Sequence, residues 1–193
     1  MSLKTIYRRW ILCMHYLLVI SFFVIGSMQS AIAQQSANLP NEVKKTIDDF
    51  ILKGNESEAS NDFNQASFYY HQAGNTYWAH GCLTESVEQL KKSLAMSEKL
   101  TNLNGISVLN TKIGLLYTEL KNYEISLIFF TKSLEISRKM GRKQDLVSAL
   151  LNVANSYSEL EKFNESIPYL AEAEPLAKDM ADAKILRNCY SLM

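Results

Sequence analysis

Glycine and proline are scarce in this chain, at 7 and 3 of 193 residues. So few turn formers argue against a loop-rich all-β fold and against a long disordered tail. Neither sign of charge is in excess, because 20 basic and 20 acidic residues cancel. Residues 1–33 hold Lys4, Arg8 and Arg9 and no acid, so the remainder carries 17 − 20 = −3. No basic surplus is left to neutralise phosphates, and nucleic acid is not an expected partner. G-x-S-x-G, the P-loop, G-x-G-x-x-G and H-E-x-x-H are all missing, so no catalytic residue and no cofactor is assigned and the chain reads as a non-enzyme. Beyond residue 33 the histidines are His71 and His80. Nine residues on one helix is about two and a half turns, which points them to opposite sides, so no metal site is expected. What is present is 47% hydrophobic and 21% charged residues, the composition of an ordinary folded domain.

The N-terminus has the layout of an export signal. Lys4, Arg8 and Arg9 form a basic start, and Trp10 to Ile25 is a 16-residue run broken by His15 and Ser21. Ala31-Ile32-Ala33 then offers a small-x-small cleavage site before Gln34. A spanning helix needs about 20 apolar residues and at least roughly 17. The run reaches that length only if it is stretched to Met28. Residues 1–33 are therefore read as a signal peptide or, uncleaved, as a membrane anchor through residues 10–28. Either way the rest is expected to be exported, to the periplasm or cell envelope.

Sliding the chain along itself by 40 brings residues into agreement. Gly74, Gly114 and Ala154 coincide, as do Tyr77, Tyr117 and Tyr157. Leu83, Tyr123 and Phe163 follow, then Ser86, Ser126 and Ser166, then Leu90, Phe130 and Leu170, then Ser93, Ser133 and Ala173. Within one copy Ile106, Leu109, Ile113, Leu116 and Leu120 step by three or four, as one face of a helix does. Lys121-Asn122 interrupts the pattern, and Tyr123, Leu127, Phe130 and Leu134 resume it. Each copy is thus two helices. Gly114 and Ser126 leave the gaps that let them approach, and Tyr117 and Phe130 fill the neighbouring holes. One such pair cannot bury its apolar face alone, so successive pairs must stack.

These residues resemble the tetratricopeptide repeat. The family's small residue, aromatic three later, and small–aromatic–small second helix stand here as Gly114, Tyr117, Ser126, Phe130 and Ser133. The next copy shows Ala154, Tyr157, Ser166, Leu170 and Ala173. The resemblance implies an all-α fold, a right-handed α-solenoid of stacked antiparallel helix pairs. The period of 40 exceeds the family's usual 34 and looks like the longer repeats of exported bacterial sensor and regulator proteins. The usual Trp of the first helix is replaced by Tyr70, Asn110 and Leu150.

The expected organisation is a leading helix and polar loop over 34–63, with the helix ended by Gly54 and the loop over 55–61. Three repeats follow (64–103, 104–143 and 144–182), then an incomplete first helix of a fourth over 183–193. Pro175 is expected to kink the last second helix or end it near Glu174. Cys82 and Cys189 lie nearly three repeats apart. Packed helices sit about 8–10 Å from one another, and a disulfide needs Cα atoms within roughly 7 Å, so free thiols are expected.

In the family the first helices line a concave groove. Carried over, its positions are Gln72 and Asn75, Lys112 and Leu115, and Asn152 and Asn155, with Trp78 either an anchor or buried against the leading helix. Asparagine offers donors and acceptors to a peptide backbone or a carboxylate, and Lys112 adds one positive charge. The same residues also fit an ordinary solvated helix face. The expected function is an interaction scaffold for a protein or peptide. Its rival is the sensory front segment of a larger bacterial signalling protein, a histidine kinase or a transcription regulator.

Overall fold

The computed structural model describes residues 39–181 and 183–192. The expected signal or anchor over 1–33 lies outside these residues, as does Met193. From residue 42 onward the described residues form one compact unit. Residues 41–192 hold eight helices: α1 (Asn41–Ala59), α2 (Phe63–Ala79), α3 (Leu83–Lys99), α4 (Leu103–Glu119), α5 (Tyr123–Met140), α6 (Lys143–Glu159), α7 (Phe163–Asp179) and α8 (Ala183–Leu192). No strand occurs among the described residues, and none of their helices is long and apolar enough to cross a membrane.

From α2 onward a helix begins every 20 residues and a pair every 40. The turns keep this beat. Asn61, Gly81, Thr101, Lys121, Gly141, Glu161 and Ala181 all have positive φ. At Gly81 the N–H donates to the Trp78 carbonyl, and the Cys82 N–H donates to that of Tyr77. The same two bonds recur at 61–62, 101–102, 121–122 and 161–162. This left-handed cap satisfies the last carbonyls of each helix and reverses the chain within three residues. The next helix often starts on a side-chain cap. Asp62, Asn102 and Asn122 accept from the N–H groups of Gln65, Gly105 and Ile125. With turns this short, consecutive helices run antiparallel and pack on one another. The product is an α-solenoid of helix pairs.

Within each pair a missing or short side chain sets the approach. The Ser86 hydroxyl donates to the Gly74 carbonyl at 2.8 Å. A Cβ on Gly114 would lie 2.6 Å from Phe130 Cε1. Between pairs, buried aliphatics interlock. Val87, Leu90 and Leu94 of α3 join Leu109, Ile113 and Leu116 of α4. Phe130 and Leu134 of α5 join Val147, Leu150 and Val153 of α6. A hydroxyl layer lines the inside of the first two pairs. Ser67 meets Ser93 and Ser97 at 3.0 Å, and Ser133 meets Ser107 at 3.1 Å and Thr111 at 2.8 Å. In the third pair the corresponding places hold buried Val147, Ala173 and Ala177.

Two expectations about helix ends are corrected. The leading helix does not stop at Gly54 but runs to Ala59, so 55–59 is helix and not loop. Gly54 is buried mid-helix because Tyr70 packs against it; a Cβ there would sit 2.7 Å from the ring. The polar residues beyond it turn inward to the same side chain, the Tyr70 hydroxyl lying 2.9 Å from Asn55 Oδ1 and 2.8 Å from Glu58 Oε2. Burial, and then the Glu58 carboxylate, push the Tyr70 hydroxyl up to about 12. The second correction concerns α7, which does not end near Glu174 but continues through Pro175 to Asp179. Pro175 cannot donate to the Ala171 carbonyl. Both residues are exposed, so water can take that bond, while Ala173 and Ala177 hold the inner face.

Candidate binding groove

The first helices α4 and α6 stand side by side with α5 behind them. The space between them is a groove of about 430 Å³. Asn104, Val108, Thr111 and Lys112 of α4 form one wall, and Asp145, Ser148 and Asn152 of α6 form the other. Ser133 and Ser137 of α5 make a floor of hydroxyls. At one end Arg142 donates to Asn104 Oδ1 at 2.6 Å and pairs with Asp145 at 2.6 Å. That bridge joins the starts of the two walls. Its charged partners are about half exposed, so its worth lies in positioning more than in stability.

Lys112 is the unusual charge of this surface. Its ammonium donates to Asn75 Oδ1 of α2 at 2.8 Å and lies 5.9 Å from the centre of the Trp78 ring. Among the described residues no carboxylate comes within ion-pair distance of it. Burial lowers its pKa, because a half-desolvated ammonium has lost water without gaining an anion. The bond also fixes its neighbours. An ammonium can only donate, so Asn75 turns its oxygen to Lys112 and its Nδ2 to His71 Nε2, 3.3 Å away. His71 must then accept, which makes it the neutral imidazole with its proton on Nδ1. Burial lowers the His71 pKa, and the Lys112 charge adds to that.

The structure therefore brings Asn75, Lys112 and Trp78 into one cluster and places Lys112 and Asn152 on opposite walls. Gln72 and Asn155 are half-buried and Leu115 is exposed on the same helices, but none of the three lines the groove. Trp78 is neither a free anchor nor buried on the leading helix. It packs forward onto Val87, Leu109 and their neighbours, and its Nε1 donates to Glu119 at 3.0 Å. Thr111, Ser137, Arg142, Asp145 and Ser148 are not singled out by the sequence pattern, which marks Ser133 only as a packing position and His71 only as a histidine without a metal partner. A step of three or four back from Lys112 and from Asn152 leads to Val108 and Ser148, and one step further to Asn104 and Asp145. Helix spacing thus carries a signal for the walls. The serine floor comes from another helix and has none.

Of the packing positions, Gly74, Gly114, Ala154, Ser126, Phe130, Ser166 and Ala173 are buried, and Tyr77, Tyr117 and Tyr157 half-buried. Tyr117 stacks on Phe129 and Tyr157 on Tyr169, each pair with ring centres 5.6 Å apart. No group of three His, Cys, Asp or Glu side chains converges among the described residues. Cys82 and Cys189 are free and buried.

Repeating helix pairs with these small and aromatic positions define a helical repeat protein. Residues 105–179 match the tetratricopeptide repeat family model, so this part of the chain is similar to tetratricopeptide repeats. No curated protein matches it in sequence. Its fold is similar to that of a Podosopora anserina protein described as a kinesin light chain with nearly identical TPR-like repeats. That likeness has TM-score 0.63 and 13% identity, over 87% of this chain and 85% of the other. It is also similar to the Rap conjugation gene regulator of plasmid pLS20 in complex with the Phr* peptide, with TM-score 0.59 and 18% identity, over 69% of this chain. Only 38% of the regulator's length is spanned. The N-terminal domain of stress-induced protein-1 from C. elegans aligns with TM-score 0.55 and 11% identity, over 67% of this chain and 96% of that one. At these identities the likeness is one of fold.

Proposed function

We propose that this chain is an exported, non-catalytic scaffold that binds a protein or peptide segment along the α4–α6 groove. One observation carries the reading: at the groove wall the Lys112 ammonium is half-desolvated, aimed by Asn75 and, among the described residues, without a carboxylate at ion-pair distance. A carboxylate on an incoming chain would supply the missing charge. Asn152 and the exposed Ser148 on the opposite wall can bond an extended backbone, which has a donor and an acceptor at every residue. Support by analogy of fold comes from the Rap regulator, which holds a peptide. The N-terminal basic, apolar and small-residue segments support export.

Selection of displayed peptides on the chain, followed by calorimetric titration of the winners, tests this. Lys112→Ala combined with Asn152→Ala is expected to weaken binding at least tenfold. Undiminished binding by that variant would show the groove to be the wrong site. A second reading, a sensory segment of a larger signalling protein, draws on the same neighbour's role as a gene regulator. A reading frame that continues past Met193 into a membrane helix and an output domain would support it, and a stop codon there would refute it.

A further inference from the structure

His71 has no part in the groove reading, yet it stands one side chain away from the charge that carries it. His71 and Asn75 are four residues apart on α2 and share one face. Lys112 takes the Asn75 oxygen at 2.8 Å, which leaves the amide nitrogen for His71 Nε2 at 3.3 Å. The ring accepts that bond only while Nε2 carries no proton. Once Nε2 is protonated, two N–H donors face each other. If Asn75 then turns its oxygen to the ring, its nitrogen meets the ammonium and the conflict moves there. The chain of three side chains therefore holds together only with a neutral ring. Charge acts in the same direction. Of the charged and titratable groups on the described residues of α1, α2, α3 and α4, Lys112 is the one that acts on the imidazole. The ring is half-buried, so solvent ions screen that repulsion only in part.

An anion at Lys112 reverses both effects. Its charge offsets the field of the ammonium at the ring. It also gives the ammonium a stronger acceptor than an amide oxygen. The Asn75 oxygen is then released to accept from a protonated Nε2. Anion binding and protonation of His71 thus favour one another, and by linkage each strengthens the other by the same factor.

We infer that the groove is proton-linked: a carboxylate bound at Lys112 promotes proton uptake at His71 through Asn75, so acidic peptides bind more tightly as the pH falls through the range in which His71 titrates. This linkage rests on the groove reading and adds to it a means of regulation. An aspartate side chain on the peptide stays ionised above roughly pH 4.5, so its own titration lies below that range.

The probes are two blocked peptides, acetyl-Ser-Ser-Asp-Ser-Ser-amide and its counterpart with Asn in place of Asp, titrated into the whole chain and followed by NMR. The Asp peptide should raise the titration midpoint of His71 by about one unit and bind at least about threefold more tightly near pH 5 than near pH 7.5. The Asn peptide should do neither. His71→Gln keeps an oxygen that can accept the Asn75 bond, so it should bind the Asp peptide equally at both pH values. Movement of the Lys112 and Asn152 signals by the Asp peptide with an unmoved His71 midpoint overturns the linkage and leaves the groove standing. PH dependence that persists in His71→Gln also overturns it. An Asp peptide that moves neither Lys112 nor His71 refutes the carboxylate step of the groove reading, and the linkage falls with it.

Discussion

The closest approach inside a repeat makes the sharpest test of why these pairs fit. Gly114 faces Phe130, and a Cβ on it would stand 2.6, 2.7 and 3.0 Å from three ring atoms. Phe130 is 2% exposed, so the ring has nowhere to swing. Overpacking of this kind costs about 1–3 kcal/mol. Alanine for glycine inside a helix returns about 0.8–1 kcal/mol. Three ring atoms within 3.0 Å put this contact in the upper half of that range, about 2–3 kcal/mol, so Gly114→Ala should lose a net ~1–2 kcal/mol. Phe130→Leu alone empties part of a packed site and should lose roughly 1–2 kcal/mol, on the lower side of large-to-small core changes. Added together, the two would cost about 2–4 kcal/mol if they acted independently. The third copy says otherwise. There the same register holds Ala154 and Leu170, both buried. The double variant copies that solution, so it should come within about 1 kcal/mol of the parent, a coupling of at least roughly 1 kcal/mol. Urea denaturation of the four proteins, followed by helical circular dichroism, closes the cycle. A coupling below about 0.5 kcal/mol, or a Gly114→Ala protein as stable as the parent, would refute the claim that glycine and ring size are matched.

Two further outcomes follow from the turns and from the His71 cluster. Thr101 holds φ 50 at an exposed turn, whereas Gly141 holds φ 67 with nothing within 4 Å of its missing Cβ. Thr101→Gly should raise stability by about 1 kcal/mol in the same denaturation assay and Gly141→Ala should lower it by a similar amount, because the left-handed region costs L residues roughly 1–2 kcal/mol. The pKa of His71 is lowered by burial first and by Lys112 second, so as pH falls below about 6.5 the unfolded chain takes up the proton before the folded one. Stability present above that pH should decline below it. Proton NMR titration should place His71 under 6.5, and Lys112→Met should move it upward; a histidine that titrates normally in the parent would contradict the cluster.

The sequence is most legible where one residue type has one reason to recur. Gly74, Gly114 and Ala154 with Tyr77, Tyr117 and Tyr157 announce the period, and the helix pairs follow from it. Gly54 misleads because glycine also ends helices. Its true reason is the Tyr70 ring, 16 residues on, and no local pattern reveals that contact. The real stop, Asn61, sits 20 residues before Gly81 and on the same beat as Thr101 and Lys121. Four of those turn residues are neither glycine nor asparagine, so composition hides them while spacing does not. Pro175 misleads for a related reason. A proline's cost depends on whether the carbonyl it orphans is buried, and exposure is not written in the letters.

The groove divides along the same line. Lys112 and Asn152 can be found because each occupies a repeat position, yet what distinguishes Lys112 is Asn75, 37 residues earlier, and the lack of an ion pair to it among the described residues. Repetition fixes where first helices stand and leaves free what they carry. The hydroxyl layer shows how free: Ser67, Ser93 and Ser97 bond among themselves, the second copy keeps such bonds at Ser107 and Ser133, and the third replaces the set with Val147, Ala173 and Ala177. The three positions change chemistry together because a lone buried hydroxyl facing two methyl groups would lack a partner. At the groove wall the same rule is broken once, at Lys112, whose charge the fold half-buries without pairing. Asn75 and the Trp78 ring hold the ammonium in place without neutralising it, and the proposed groove function assigns that task to an anion of the partner.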